Sequence, residues 1–211
     1  EEPFMALSTY ADLKAAIADW LERGDLAGRT ADFIVLAESR LNRVLRLRMM
    51  EIEEALTTAI GVRTVALPAA FREPIALWVQ GPAGRTPLRF VDPAALSISS
   101  TPGQPQAWTL NAGALAFDRP CDRAYGLVLR MVGRLALSDA QPTNAVLADY
   151  PDLYLFGALV EAAPYLRDAE LLSLFMARFE AALAEARAKE ARGKALATLG
   201  VEPLLLAGSG T

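Results

Sequence analysis

The longest apolar run with helical spacing is YPDLYLFGALVEAAPYLRD, residues 150–168. Leu153, Phe156, Leu159, Val160 and Ala163 recur three and four apart, and Leu155 and Ala158 on other faces are also apolar, so the pattern predicts a helix buried nearly all round. Pro151 suits a first helical turn, where its missing N–H would be unpaired anyway, and Asp149 and Asp152 put negative charge at the positive helix end. Pro164 ends or kinks this helix, and Asp168 caps a last one packed back antiparallel, with Leu171, Leu172, Phe175, Phe179, Leu183 and Ala186 on one face. A surface pair of Glu185 with Lys189 is expected there.

Two helices are predicted at the start of the chain. Thr9 caps the first, whose stripe is Leu13, Ala16, Ile17, Trp20 and Leu21, closed by Gly24; Thr30 caps the second, with Phe33, Ala37, Leu41, Val44 and Leu45 on one face. From Met50 the period changes from 3.6 to 2. Residues 50–58 and 63–67 read as a hairpin about Gly61, 75–80 and 88–91 as strands around the turn GPAGRTP, and 108–110 with 115–117 as a second hairpin about Asn111-Ala112-Gly113. A strand over 125–134 follows, giving five to seven strands in all; residues 97–106, SISSTPGQPQ, read as a mobile loop. Helices, then antiparallel strands, then helices make an α+β protein: an antiparallel helical bundle from the N- and C-terminal helices (7–48 and 143–194) with a small antiparallel β-sheet insertion (49–138). These form a single domain over 7–194, with 195–211 as a C-terminal arm.

Charge and composition narrow the function. The 211 residues are 53% hydrophobic and 22% charged, an ordinary globular balance; the net charge of −4 argues against a dedicated nucleic-acid binder, whose affinity would rest on Lys and Arg at phosphates. With no histidine, Ser-His triads, Cys-His dyads and His-containing metal sites are excluded. Cys121 stands alone, without a disulfide partner or a basic group to activate it, and no leader pattern is seen, so a reducing compartment is expected. Glu161 and Pro164 interrupt the best candidate for a membrane span. No cofactor is called for, since the glycines match neither a dinucleotide fingerprint nor a P-loop.

Several charged groups remain to be weighed. Glu51 and Glu53 share one face of a strand and read as solvated, with carboxylate-based metal chemistry as the competing use. Glu161 lies within the buried helix and needs a cation, which Arg40, Arg43 or Arg167 can supply. Arg40, Arg43, Arg46 and Arg48 cluster at a helix C-terminus, where cations are favoured; they form either a solvated end paired with glutamates or a charged interface. Beyond Lys194, Leu196, Leu199, Val201, Leu204, Leu205 and Leu206 are too apolar for a disordered tail, while Gly200 and Pro203 oppose a continuous helix, so an interaction arm that folds on a partner is expected.

Five stretches carry a family likeness: TYADLKAAIADWLERGDL (9–26), FIVLAESRLNRVLRLRMME (33–51), VALPAAF (65–71), LRFVDP (88–93) and PTNAVLADYPDLYLFGALVEAAPYL (142–166). In this order they resemble the head-to-tail adaptor (connector) proteins of tailed bacteriophages and gene-transfer particles. The resemblance implies a non-enzymatic virion protein, made in the host cytoplasm, that assembles as a homo-oligomeric, dodecameric ring between the portal protein and the downstream tail or stopper proteins. DNA would pass through the channel without sequence-specific binding, no membrane would be involved, and residues 196–206 would clasp the portal. An intracellular, non-enzymatic helical interaction protein is the alternative.

Overall fold

The computed structural model describes residues 7–166 and 168–199, the side chains of 196–199 excepted. Among these residues the α-helices are α1 (Tyr10–Leu21), α2 (Thr30–Val44), α3 (Ala145–Asp149), α4 (Pro151–Leu166) and α5 (Ala169–Leu199). The strands are β1 (Glu51–Thr57), β2 (Thr64–Ala66), β3 (Phe71–Gly81), β4 (Gly84–Pro87), β5 (Arg89–Phe90), β6 (Ala107–Asn111), β7 (Ala114–Phe117) and β8 (Gly126–Gly133). The chain divides into two compact units: Glu51–Arg134, and the helices before and after it.

The expected architecture, a bundle carrying a small antiparallel insertion, is overturned. Among the described residues the chain is α+β with five α-helices and two four-stranded sheets, ordered β1-β8-β3-β4 and β2-β7-β6-β5. The second sheet is not wholly antiparallel, because Arg89 and Phe90 run parallel to Ala107 and Trp108. Leu77, Val79, Leu127, Leu129 and Met131 from the first sheet, and Trp108, Leu115 and Phe117 from the second, bury a core of their own. Two sheet faces can dehydrate one another in this way, which a single small sheet cannot do.

The strand pairing also departs from local expectation. Residues 50–58 and 63–67 do not form a hairpin: β1 pairs along its length with β8, and β2 pairs with β7 in the other sheet. Adjacent strands separate because Leu56 and Val65 both pack on the shared core, one from each sheet. The return strand of GPAGRTP is β4 itself, with Gly81 opposite Gly84, while β5 leaves for the other sheet. The hairpin β6–β7 is as expected, and its two turn residues, Ala112 and Gly113, both have positive φ (47° and 78°), the geometry that matches strand twist.

Residues 97–106, expected to be mobile, are fastened. Ser99 N donates to the Asp118 carbonyl (2.7 Å) and Gly103 N to that of Pro120 (2.9 Å). The buried Asp118 carboxylate accepts from the amides of Gln106 (2.9 Å) and Ala107 (3.2 Å) and from Arg119 Nε (2.9 Å). Burial pushes this carboxyl upward, but the two amides and the guanidinium outweigh it and hold it below the usual range.

In the helical unit α4 is the hub, and α1, α2 and α5 all pack on it; α1 and α2 meet each other far less than either meets α4. Leu153, Tyr154, Leu155, Ala158, Leu159, Val160, Ala162 and Ala163 are buried, which bears out a core helix apolar on all sides. Gly157 permits a close approach of α2 and α5 to α4: a Cβ built there would lie 3.3 Å from Ala37 Cβ and 3.4 Å from Phe179. Pro164 sits in the last turn and the helix continues to Leu166.

Thr9 caps α1 reciprocally with Asp12, as its sequence suggests, but the left-handed residue that ends the helix is Glu22, two before Gly24. Thr30 is the first residue of α2, and its hydroxyl donates to the Ala27 carbonyl (3.1 Å) instead of capping the helix. Asp168 does cap α5, accepting from the amides of Glu170 and Leu171. The helix then runs without a break through Gly193 to Leu199. Its i,i+4 ion pair is Glu190 with Lys194, and Lys189, expected to meet Glu185, lies over the Tyr150 ring at 5.2 Å.

Candidate functional site

The acidic residues that chemistry would recruit are held in ion pairs. Glu51 accepts from Arg130 (2.6 Å) and Glu53 from Arg85 (2.9 Å), which makes them part of a charged sheet surface. Among the described residues no three Asp, Glu or Cys side chains are placed to share a metal ion. Cys121 is fully buried.

The arginine cluster disperses once folded. Arg40 binds Glu161 on α4 through Nε (2.9 Å) and Nη2 (2.6 Å), which settles the three-way choice of partner for that carboxylate; Arg167 lies outside the described residues. Arg48 pairs with Glu190 on α5 (3.4 Å), while Arg43 donates to Ser39 Oγ (2.8 Å) and Arg46 is exposed. The carbonyl of Val44, orphaned at the end of α2, is taken by Arg187 Nη2 (2.8 Å). Arg40 and Arg48 thus tie this segment to α4 and α5, and Arg43, Arg46 and Arg48 occupy exposed positions.

Sequence reading missed a buried polar node centred on Glu38, on the core face of α2 beside Ile34, Ala37 and Leu41. Its Oε1 accepts from the Leu137 amide (2.7 Å) and the Tyr154 hydroxyl (3.3 Å), and Tyr154 in turn accepts from Asn144 Nδ2 (2.7 Å). Burial without a cation raises the Glu38 carboxyl to about 7, despite the opposing effect of its two donors. Burial, then the Glu38 charge, also push the Tyr154 hydroxyl upward. Asn42 holds Leu135 by both amide and carbonyl (2.8 and 2.9 Å), Lys14 meets Asp139, and the Tyr10 amide donates to the Pro142 carbonyl. Residues 135–144, which have no regular structure, are thereby strapped to α1, α2 and α4. The available signal was a carboxylate placed by helical phase among the buried residues of α2.

Leu196 and Leu199 fall on the last turns of α5, with side chains outside the described residues; Val201, Leu204, Leu205 and Leu206 also lie outside them. The helix therefore extends over the first part of the stretch expected to be non-helical. Two apolar surfaces stay exposed nearer the core of this unit. Trp20, expected in the buried stripe of α1, is 50% exposed, although its ring meets those of Phe156 (5.6 Å) and Phe175 (6.3 Å) edge-on. Leu171 and Leu172, one turn before Phe175, are likewise exposed.

The ion pairs, the buried node and the exposed apolar positions assign no chemistry by themselves. The family model of the SU10 adaptor protein matches residues 8–201. The chain belongs to that family. It is thus a structural phage head-to-tail adaptor, and the match spans both units, including the Glu38 node and the full length of α5. No curated protein sequence matches the adaptor significantly. No described helix is long and apolar enough to cross a membrane.

Proposed function

We propose that this adaptor is a non-enzymatic subunit of a homo-oligomeric, dodecameric ring that connects the portal to downstream tail or stopper proteins in the virion and leaves an axial channel for DNA. Family membership over residues 8–201 carries the reading. The charge distribution supports an inert channel wall: the net charge is −4, and Arg40, Arg48, Arg85 and Arg130 are each occupied by a carboxylate of the same chain. An acidic chain with these cations occupied has a weak hold on phosphates, so DNA slides without being held.

Portal attachment is assigned to Leu196, Leu199, Val201, Leu204, Leu205 and Leu206. The support is their concentration from the last turns of α5 onward, next to residues 194 and 195, which are exposed. Burial of each large aliphatic on a partner is worth roughly 1.5–3 kcal/mol before ordering costs, and a ring repeats the contact in every subunit. The test is truncation after Lys194, followed by thermal unfolding and co-sedimentation with the portal. Normal folding with lost portal binding is expected; a destabilised subunit or unchanged binding refutes the assignment. A reconstruction of the particle tests the ring itself.

A further inference from the structure

β1 is a seven-residue strand at the edge of its sheet, paired with β8 from Glu51↔Val132 to Thr57↔Gly126 without a register shift. Beyond that ladder Thr58 N donates to the Tyr125 carbonyl (3.0 Å). Bonded pairs alternate along an antiparallel ladder, so Ile52, Glu54 and Leu56 are the residues bonded to β8, and the amides and carbonyls of Glu53, Ala55 and Thr57 point away from it. These main-chain groups meet no partner among the described residues. An edge of this kind is a template for a further strand. The other edges of the two sheets are blunted, since β4 is four residues ending in Pro87, β2 is three and β5 is two.

The side chains of this edge are also incomplete. Ile52, Glu54 and Leu56 share the face on which their β8 partners Met131, Leu129 and Leu127 are buried in the core. At the edge that cover is partial: Ile52 is 36% exposed, and Glu54 and Leu56 are half-buried. Glu54 is thus a carboxylate on the rim of an apolar core, and no cation of the described residues is bonded to it. Arg130 and Arg85 are taken by Glu51 and Glu53 on the opposite face, and Arg63, just ahead of β2, forms no ion pair with it.

These features select the occupant. Main-chain groups repeating along an edge are met by an extended backbone, not by a helix or a nucleic acid. A second copy has one described edge of matching length, its own β1, and in-register antiparallel pairing of the two would set Glu54 against Glu54. Residues 1–6 and 200–211 contain no Lys or Arg to offer that carboxylate. We propose that β1 receives an extended segment of a partner protein as an added strand, bonded through the outward amides and carbonyls of Glu53, Ala55 and Thr57, with a Lys or Arg of that segment on Glu54 and apolar side chains on either side of it over Ile52 and Leu56. This goes beyond the ring reading and does not depend on it.

The probe is the acetylated and amidated peptide Thr-Thr-Val-Thr-Lys-Thr-Val-Thr-Thr, added to the full chain while amide exchange is followed residue by residue by NMR. Exchange at Glu53, Ala55 and Thr57 should slow at least tenfold, with Ile52, Glu54 and Leu56, already bonded to β8, little changed; no slowing, or slowing spread evenly over 51–57, overturns the proposal. Slowing that grows with protein concentration before peptide is added makes the occupant a second copy and overturns it too. Glutamate in place of the peptide's lysine should weaken binding at least tenfold, and Glu54→Lys should reverse that preference; equal binding of the two peptides refutes the assignment of Glu54. Ala55→Pro deletes an outward N–H and no bond to β8, so the unfolding midpoint should hold while peptide protection is lost, and a variant that still binds the peptide overturns the proposal. Particles assembled with Ala55→Pro should lack the protein that β1 holds; a full complement of portal and tail proteins shows that no partner occupies β1 in the virion.

Discussion

Glu38→Gln is a direct test of the buried node, because it removes one titrating group while keeping the side chain's size and an acceptor for the Leu137 amide. The carboxyl sits at about 7 in the folded protein against 4.5 in its ordinary state. A folded value above the unfolded one means that the protonated form is favoured by folding. Its contribution is therefore complete below about pH 4.5 and is lost as pH rises through 7. At about 1.4 kcal/mol for each unit, the full change is about 3 kcal/mol. Glutamine does not titrate, so unfolding free energy of the variant minus that of the wild type cancels every other ionisable group. This difference should grow in the variant's favour by about 3 kcal/mol between pH 4.5 and pH 8. The assay is urea unfolding followed by far-UV circular dichroism, which reports mainly on the helices, with exchange of the Leu137 amide as a local probe. A difference that stays flat with pH, or that moves against the variant as pH rises, would show that Glu38 is solvated or has a cation, and the reasoning would fail.

Other substitutions probe other links. Gly157→Leu should cost at least about 3 kcal/mol, or prevent folding, because even a Cβ there already crowds Ala37 and Phe179; a variant of wild-type stability by thermal unfolding would mean α4 is not clasped at that point. Ala112→Gly should raise the unfolding free energy of the β-unit by about 1 kcal/mol by relieving an L-residue at φ 47°, and no gain in urea denaturation would exclude strain at this turn. Asp118→Ala should leave the amides of Gln106 and Ala107 unpaired, costing about 2–4 kcal/mol and speeding hydrogen exchange over 97–106. The Asp118 value is depressed, so its contribution holds above about pH 4 and is lost as pH falls below that; equal loss at pH 3 and pH 7 would refute the assignment.

Much of the helical unit was legible because helical phase is a local property. The 3.6-residue period marked α4 as buried on all sides, Thr9 and Asp12 marked the start of α1, and Asp168 marked the start of α5. The turn at Ala112-Gly113 was equally local, since a two-residue connection between alternating segments leaves one simple pairing. Even the family likeness rested on short stretches read in order, and the match over residues 8–201 bears it out.

Tertiary structure decided whatever depended on distant partners. Nothing near residues 51–57 or 64–66 specifies that their strands pair with β8 and β7 in two different sheets; the pairing that buries most apolar surface wins over the nearest one. Trp20 has the spacing of a core residue but reaches the open end of α1, where α4 and α5 offer ring edges and no roof. Residues 97–106 have the composition of a loose loop and are held by Asp118, whose value as an anchor depends on amides eleven and twelve positions away. The arginine cluster is one patch along the chain and several separate contacts in space, because successive helical residues diverge by about 100° and Glu161 and Glu190 arrive from other helices. Sequence periodicity sets which side of each segment turns inward; which segments share that interior is settled only by the competition among whole packings.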